Sequence, residues 1–219
     1  MTTSNFRFSI RATNQFCKAI SLYRIAIYQY EEIIIEMRVI TGTARGKKLK
    51  TLDGLDVRPT SDMVKEAIFS IIQFDIPGAN VLDLFSGSGQ LGVEALSRGA
   101  SHCVFVDKNK ASIDITKENV SSCGFLNNTR ILNMDSLEYL NVGKKGIDIA
   151  LIDPPYRKGL ILNCLDKIER VLNDNAIVVC EHEAETTLPD NVGSLVLSKR
   201  YKYGKIALTV YKLNKESEV

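Results

Sequence analysis

Short apolar runs alternate with helical segments from residue 77 onward, and this alternation predicts the fold. Runs rich in β-branched residues are typical of buried strands, whereas apolar residues that recur every three or four positions indicate helices packed on a sheet. The predicted strands are 81–84, 102–106, 129–133, 147–152 and 176–180, and the predicted helices are 91–98, 111–123 and 160–172. Two closing runs, 192–201 and 205–213, predict an antiparallel hairpin around Tyr203-Gly204. We therefore predict an α/β protein with a doubly wound, mostly parallel sheet of seven strands.

The part of the chain that precedes this sheet divides into two pieces. Residues 1–36 contain neither Gly nor Pro and have no acidic residue before Glu31. Two interpretations fit this atypical extension: a transit peptide, or sequence translated from a start upstream of Met37. Residues 37–76 follow as a short hairpin, with Gly42 and Gly46 as turn candidates, and an amphipathic helix capped by Thr60 or Ser61. Residues 77–215 form the predicted α/β domain.

The composition sets limits on the class of protein. With 219 residues, 45% of them hydrophobic, the chain has the size of one globular domain with a small appendage. Its five cysteines form no C-x-x-C pair, so we predict no disulfide framework, no metal site and a reducing, cytoplasmic location. No apolar run approaches the roughly 20 residues that cross a bilayer, and we predict no membrane association.

The basic residues are unevenly distributed, although the formal net charge is only +2. One acid-free stretch lies between Met37 and Leu52, and a second lies between residues 199 and 212. The first contains Arg38, Arg45, Lys47, Lys48 and Lys50, and the second contains Lys199, Arg200, Lys202, Lys205 and Lys212. Each stretch is compatible with a solvated surface strand or with a rim that contacts phosphates.

A glycine-rich loop follows the first predicted strand. The segment from Gly87 to Gly92 has the spacing G-x-G-x-x-G between a strand and a helix, which is typical of Rossmann-like nucleotide sites. Glycines let the chain turn sharply and let a ligand approach the backbone closely. The same spacing serves NAD, FAD and S-adenosylmethionine, so it does not identify the cofactor. The candidate cofactor contacts in this loop are Phe85, Ser86, Gly87 and Gly89.

Carboxylates near the ends of the first three strands are further cofactor candidates. Asp107, followed by Lys108, ends the second strand, where a carboxylate accepts hydrogen bonds from both ribose hydroxyls. Asp135 and Ser136 could contact an adenine amino group, or Asp135 could cap the helix that follows. Asp83 lies inside the first strand, where it could orient the glycine loop, approach the cofactor or make a structural hydrogen bond.

The fourth predicted strand ends in Asp153-Pro154-Pro155-Tyr156, at the edge of the sheet where ligands bind in open α/β proteins. Two prolines make this loop rigid. A planar amine has two N–H donors, and the Asp153 carboxylate and the Pro154 carbonyl can accept hydrogen bonds from them. If the amine belongs to a nucleobase, Tyr156 can stack on its ring. Such acceptors favour a pyramidal nitrogen and so stabilise the transition state of methyl transfer. A dehydrogenase has no need of this tetrapeptide, so the motif favours methyl transfer. The alternative to a reaction centre is that the tetrapeptide is a chance turn.

Taken together, these motifs resemble the RsmD-like 16S ribosomal RNA (guanine-N2) methyltransferases. The resemblance covers residues 37–213 and includes the opening segment from Met37, the helix entry from Arg58, the glycine loop, Asp153-Pro154-Pro155-Tyr156 and Tyr203-Gly204. Small departures are Ser86 and Gln90, where alanine is frequent, and Tyr156, where phenylalanine also occurs. The resemblance also implies that Met37 is the usual start, which favours the second interpretation of residues 1–36.

The resemblance implies a class I methyltransferase that uses S-adenosylmethionine, releases S-adenosylhomocysteine and methylates one guanine N2 of 16S rRNA in an assembling 30S subunit. We predict a monomer and an RNA-facing segment 37–76, with substrate contacts from Arg38, Arg45, Lys47, Lys48, Arg58 and Thr60. Arg58 and Thr60 fall in the family's signature, and they could instead border the methionine end of the cofactor or serve capping and packing. The remaining alternatives are a methyltransferase of DNA adenine N6 or of protein glutamine, and a ribosome-assembly module with an inactive site.

Overall fold

The computed structural model describes residues 37–52, 62–155 and 159–214. The predictions made for residues 1–36, for Arg58, Thr60 and Ser61, and for Tyr156 therefore lie outside the described residues.

A single eight-stranded sheet forms the centre of the protein, with the order β3-β2-β1-β4-β5-β8-β7-β6. Strands β1 to β5 are parallel, and β8 and β7 close the sheet as antiparallel strands. The strand order reverses between β1 and β4, which is where open α/β sheets bind ligands. The strands are β1 Asn80–Asp83, β2 His102–Asp107, β3 Thr129–Asn133, β4 Ile147–Ile152, β5 Leu172–Glu183, β6 Asn191–Val192, β7 Leu195–Tyr203 and β8 Ile206–Leu213.

Helices cover both faces of this sheet. The helices in the described residues are α1 Asp62–Ile71, α2 Gln90–Ser97, α3 Lys110–Ser122, α4 Ser136–Val142 and α5 Leu160–Ile168. One buried cluster joins the apolar faces of α1, α2 and α3 to the sheet, and a second joins α4 and α5 to its other face. The predicted Rossmann-like, doubly wound class is confirmed. None of the described helices has the length and apolar character of a membrane span.

Three predicted elements have wrong bounds, and one of them is the strand predicted for 176–180, which extends over Leu172–Glu183 as β5. The helix predicted for 160–172 ends at Ile168, because the Val171 carbonyl accepts from Ile147 N and Leu172 then pairs with β4. The single strand predicted for 192–201 is divided by a turn at Gly193, where φ is 56°. The turn creates the two-residue strand β6, so the sheet has eight strands rather than the predicted seven.

Residues 37–52, the N-terminal segment, fold as a compact hairpin-like turn with one antiparallel bridge, between Arg38 and Lys48. Val39 N donates to the Lys47 carbonyl at 2.9 Å, and Leu49 N donates to the Met37 carbonyl at 2.7 Å. The side chains of Met37, Val39, Ala44 and Leu49 are buried in the same cluster as α1 and α2. The segment is therefore part of the core that supports the sheet.

The buried carboxylate of Glu94 holds this segment against α2. Its Oε2 accepts from Ile40 N at 2.7 Å, and its Oε1 accepts from Thr41 N at 2.9 Å and from Arg98 Nε at 2.8 Å. Near the end of the helix, Ser97 Oγ donates to the Thr41 carbonyl at 2.6 Å. Because a buried carboxylate is stable only with such partners, Glu94 ties the conformation of the turn to α2.

A buried lysine completes the attachment from α1. Lys65 is fully buried, and its Nζ donates to the Arg38 carbonyl at 2.7 Å. Burial lowers the pKa of Lys65, while the charges of Glu94 and Asp62 oppose that shift. Three elements that are distant in sequence thus meet around one polar network beneath the N-terminal segment.

The turn of this segment yields a test of the docking. We expect Gly42→Ala to lower the free energy of unfolding by about 3 kcal/mol, because a Cβ would lie 1.8 Å from the Ser97 carbonyl oxygen and φ is +89°. Gly46 has a similar φ of +81° but open space around it, so Gly46→Ala should cost only about 1 kcal/mol. Urea denaturation of both variants measures the difference. Equal losses would show that the contact with Ser97 is not tight.

Candidate active site

The candidate site lies where β1 and β4 end side by side. Leu84 N donates to the Leu151 carbonyl at 3.1 Å, which extends the pairing of the two strands to their carboxyl ends. The glycine loop leaves β1 at this point, and Asp153 follows β4 directly. The two most specific sequence motifs therefore meet at the topological switch point of the sheet.

The glycines of the loop are required by its geometry. Gly87 and Gly89 have φ values of 52° and 79°, which favour glycine. A Cβ on Gly92 would lie 2.2 Å from the ring of Phe105 on β2, so the third glycine lets α2 pack closely on the sheet. The loop is thereby held at the carboxyl edge, with open space beside Gly87.

Asp107 fixes the loop from the end of β2. Its Oδ2 accepts from Gly87 N at 2.9 Å, and its Oδ1 accepts from Asn109 N at 2.8 Å. A carboxylate has about four lone-pair sites, so acceptor capacity remains on both oxygens. The exposed Lys108 follows, and its carbonyl accepts from Asn133 Nδ2 at 2.9 Å. Asp107 thus has both the position and the remaining capacity for the predicted contact with ribose hydroxyls.

Asp83 makes the structural hydrogen bond that the sequence left as one alternative. Its carboxylate is buried and Oδ2 accepts from Gly92 N at 2.9 Å. Burial raises the pKa of Asp83 to about 7; the bond from Gly92 opposes this shift, and the charges of Asp153 and Asp107 add to it. The carboxyl edge therefore concentrates negative charge, which favours a ligand that carries a positive group.

Asp135 and Ser136 also have structural partners. Asp135 caps α4, because its Oδ1 accepts from Leu137 N at 2.9 Å, and Ser136 Oγ donates to the Leu84 carbonyl at 2.8 Å. Helix capping, the alternative to an adenine contact, is thus present. The cap uses one oxygen of an exposed carboxylate, so a ligand contact by Asp135 stays a prediction.

Two buried polar atoms at the glycine loop fit a bound cofactor. Ser86 Oγ and Gln90 Oε1 have no hydrogen-bond partner among the residues that the structure describes. A buried polar atom without a partner costs about 1–3 kcal/mol. A ligand with both donors and acceptors would remove this cost. Phe85, between Leu84 and Ser86, is half-buried and packs against the apolar cluster under α4 and α5.

Two further residues support the loop, and the sequence analysis did not single them out. Thr116 Oγ1 donates to the Gly87 carbonyl at 2.9 Å. Asn119 Nδ2 donates to the carbonyls of Ser88 at 2.8 Å and Lys50 at 3.0 Å, and its Oδ1 accepts from Lys50 N at 2.8 Å. Asn119 therefore links the glycine loop to the N-terminal segment. The sequence pattern that could have indicated them is that Thr116 and Asn119 are polar residues, three apart, on the apolar face of the helix predicted for 111–123.

The Asp-Pro-Pro loop begins directly after Ile152, the last residue of β4. Asp153 is half-buried, Pro154 is buried and Pro155 is exposed. The Asp153 charge raises the pKa of Asp83, which places the two carboxylates within electrostatic reach of each other. Over the described ranges, no three His, Cys, Asp or Glu side chains are arranged as metal ligands.

The basic residues of the N-terminal segment do not all lie near this edge. Ser97, which binds the turn, follows the start of α2 by seven residues, or roughly 10 Å at the rise of an α-helix. Arg45 and Lys47 belong to that turn and are therefore displaced from the glycine loop, although both are exposed. Arg38 pairs with Asp62 at 3.7 Å, and Lys48 bridges to Arg38 through the backbone.

The sheet order, the glycine loop after β1 and the Asp-Pro-Pro loop after β4 define the fold of class I methyltransferases. A family model described as Conserved hypothetical protein 95 matches residues 37–212, and the chain belongs to this RsmD-like family, as its motifs predicted.

Relatives match over most of their own length. YlbH of Bacillus subtilis is 38% identical over 181 residues, which span 80% of this chain and 98% of YlbH. Ribosomal RNA small subunit methyltransferase D of Escherichia coli K12 is 31% identical over 185 residues, with coverage of 84% and 93%. The solved structure of yhhF from Escherichia coli is 32% identical, covers 82% of this chain and 98% of yhhF, and has a TM-score of 0.74.

The raised pKa of Asp83 predicts a pH dependence of stability. The folded protein keeps the Asp83 proton up to about pH 7, whereas the unfolded chain loses it near 3.8. Between these values the folded state binds the extra proton, so the contribution of Asp83 to stability falls as pH rises, by at most about 1.4 kcal/mol per pH unit.

Urea denaturation of the wild type and of Asp83→Asn between pH 5 and pH 9 isolates this contribution. We expect the difference in unfolding free energy to shift in favour of the variant up to about pH 7 and to stay constant at higher pH. A difference that does not change with pH would contradict the assigned pKa.

Proposed function

We propose that this protein transfers a methyl group from S-adenosylmethionine to the exocyclic N2 amine of one guanine in small-subunit ribosomal RNA, within an assembling 30S subunit. The observation that carries the proposal is the Asp153-Pro154-Pro155 loop, which leaves β4 beside the glycine loop of β1. The relative from Escherichia coli K12 is named as a small-subunit rRNA methyltransferase, and the match covers 93% of its length. This similarity supports RNA as the substrate. We place the enzyme in the cytoplasm as a monomer.

The residues at the carboxyl edge suit this cofactor. Asp107 has acceptor capacity for the ribose hydroxyls, Asp135 has an oxygen left for the adenine amino group, and Ser86 and Gln90 supply unpartnered polar atoms. Gly87 has open space beside it, which leaves room for a close approach, whereas Gly89 lets the loop pack against Thr116 and Phe105. S-adenosylmethionine supplies an electrophilic methyl group on a sulfonium, whose positive charge is compatible with an edge that carries the Asp107 carboxylate.

The protein's part in the transfer is to orient and polarise the amine, and the proton that the methylated nitrogen must lose would leave to water or through the Asp153 carboxylate. A guanine N2 amine has two N–H donors, which the Asp153 carboxylate and the Pro154 carbonyl accept. Because its lone pair is delocalised into the ring, acceptors placed for a pyramidal nitrogen stabilise the transition state more than the ground state. Because this loop is attached to β4, it would hold the amine nitrogen in line with the sulfonium methyl group. This orientation supplies further rate enhancement.

Tyr156 completes the proposed site as a stacking surface for the base, a contact worth roughly 1–3 kcal/mol. In a helical substrate the base has first to be extruded from its stack. Arg38, Lys48, Arg58 and Thr60 are proposed to face the RNA, with Arg45 and Lys47 on the more distant part of the same segment. Asn119 connects this segment to the cofactor loop, so RNA contacts there would also steady the loop.

The product decides between this proposal and methylation of another planar amine. Small ribosomal subunits purified from a strain that lacks the gene are incubated with the protein and methyl-labelled S-adenosylmethionine, and nucleosides are then separated. We expect the label in N2-methylguanosine of the 16S rRNA, with subunits from the parent strain as the unlabelled control. In parallel incubations with DNA or with protein, label in N6-methyladenine or in glutamine would replace the proposed substrate, and no label in any incubation would favour a non-catalytic assembly module.

Asp153→Ala tests the role of the carboxylate. Because it removes one of two acceptors for the amine, we expect kcat to fall roughly 100-fold or more, while S-adenosylmethionine affinity measured by calorimetry changes by less than about threefold. Asp166→Ala, an exposed carboxylate on α5, is the matched control and should keep full activity. Wild-type turnover by Asp153→Ala would exclude the proposed mechanism.

A further inference from the structure

The second basic stretch of the sequence, apart from Lys212, lies toward the same edge of the sheet as the reaction centre. We call residues 199–205, at the turn between β7 and β8, the hairpin tip. Ile152, the residue before Asp153, pairs with Cys180 on β5, and β8 begins at Ile206 opposite Glu183. The tip therefore projects about three residues past the end of β4, or roughly 10 Å, and lies two to three strands, roughly 10–15 Å, to its side.

The lysines of the hairpin tip are available for a ligand. Lys199, Lys202 and Lys205 are exposed, and none of them has an ion-pair partner within the described ranges. Arg200 differs, because it pairs with Asp190 at 2.8 Å and donates to the Leu188 carbonyl. No acidic residue occurs between Asn191 and Asn214, so the two closing strands carry only positive charge.

The backbone of the tip is rigid. Tyr201 and Tyr203 pack, half-buried, against the cluster beneath α1 and α2. Gly204 has a φ of 61°, which permits a two-residue turn, and Ala184 N donates to the Lys205 carbonyl at 2.9 Å. The lysine ammonium groups are thus carried on a fixed support, which reduces the ordering cost of binding.

The acidic end of β5 determines which side of the tip can bind an anion. Glu183 shares a cross-strand row with Ile206 and Tyr203, whereas Lys202 pairs with Ala207 in the adjacent row. Successive residues of a strand point to opposite faces, so Lys202 faces away from Glu183. Lys205 lies in the turn itself. A polyanion would therefore contact the side of the tip that carries Lys202 and the turn that carries Lys205, which we call the outer rim of the tip.

We propose that the hairpin tip is a second RNA-binding surface, which contacts phosphates of nucleotides next to the methylated guanine. The inference rests on the proposed function. A base extruded into the Asp153 loop leaves its neighbouring phosphates outside the pocket, at distances comparable with the offset of the tip. Cations of the N-terminal segment are partly committed to carboxylates, Arg38 to Asp62 and Lys50 to Glu118, whereas the lysines of the tip have no ion-pair partner among the described residues.

The test removes the charges of the tip without changing its turn. In Lys202→Gln/Lys205→Gln, we expect KM for small subunits from the deletion strain to rise about tenfold, kcat to change less than about twofold, and S-adenosylmethionine affinity to stay constant. The slope of log affinity for 16S rRNA against log salt should become shallower by about 1.5, since each phosphate contact contributes about 0.7–0.9. Lys202→Arg/Lys205→Arg should retain wild-type KM.

The control changes charge at the opposite edge. Lys144 and Arg170 are exposed and precede β4 and β5, so Lys144→Gln/Arg170→Gln removes the same net charge from the amino edge. If this control weakens RNA binding as much as the tip variant, or if the tip variant keeps wild-type KM and salt slope, the hairpin tip is not an RNA-binding surface.

The two proposals can fail separately. Wild-type protein that binds 16S rRNA through the tip but forms no N2-methylguanosine would overturn the proposed function and retain the surface. Wild-type protein that forms N2-methylguanosine, with a tip variant of unchanged KM, would overturn the surface and retain the function.

Discussion

The turn from β1 into α2 is the constraint on which the rest of the molecule depends. The chain leaves a buried strand, reverses through Gly87 and Gly89 at positive φ, and enters a helix that packs on β2 through Gly92. Asp83 and Asp107 hold this turn by accepting from backbone N–H groups of Gly92 and Gly87. Side chains at 87 or 89 would meet strained backbone, and one at 92 would meet Phe105. The same residues thus decide helix packing and the shape of the ligand edge.

Helix α2 then transmits that constraint to the N-terminal segment. Its first residues belong to the glycine loop, and its later residues Glu94 and Ser97 bind the segment through the hydrogen bonds described above. Asn119 connects the segment to the glycine loop directly, because its side chain contacts both Lys50 and Ser88. Loop, helix and segment are therefore mechanically coupled. If the segment moved when a large substrate bound, the glycine loop would therefore shift with it.

Charge is organised around the same edge. Carboxylates of Asp83, Asp107 and Asp153 lie close enough for the latter two to raise the pKa of the first. Such a concentration of negative charge near a buried site is unfavourable without a cationic ligand, whereas the outer rim at the hairpin tip is positive. The edge is thus suited to hold a cationic cofactor inside and a polyanion outside, and this separation keeps the two charges from competing for one site.

The amino-acid sequence by itself determined the order of elements, the glycine loop and the Asp-Pro-Pro loop, because periodicity and turn chemistry act between near neighbours in the chain. Strands β3 and β4 match their predicted bounds for this reason. Only the tertiary structure decided features that join distant positions. Ile40 meets Glu94 across 54 positions, and Lys50 meets Asn119 across 69. The bonds from Thr43 and Ala44 to Ser97 keep Arg45 and Lys47 away from the glycine loop, while strand pairing brings the hairpin tip to the edge that carries Asp153. The pairing of Leu172 with β4 likewise ended α5 early. No local pattern encodes such contacts, since each depends on which buried polar group finds a partner once the sheet and its helices have packed.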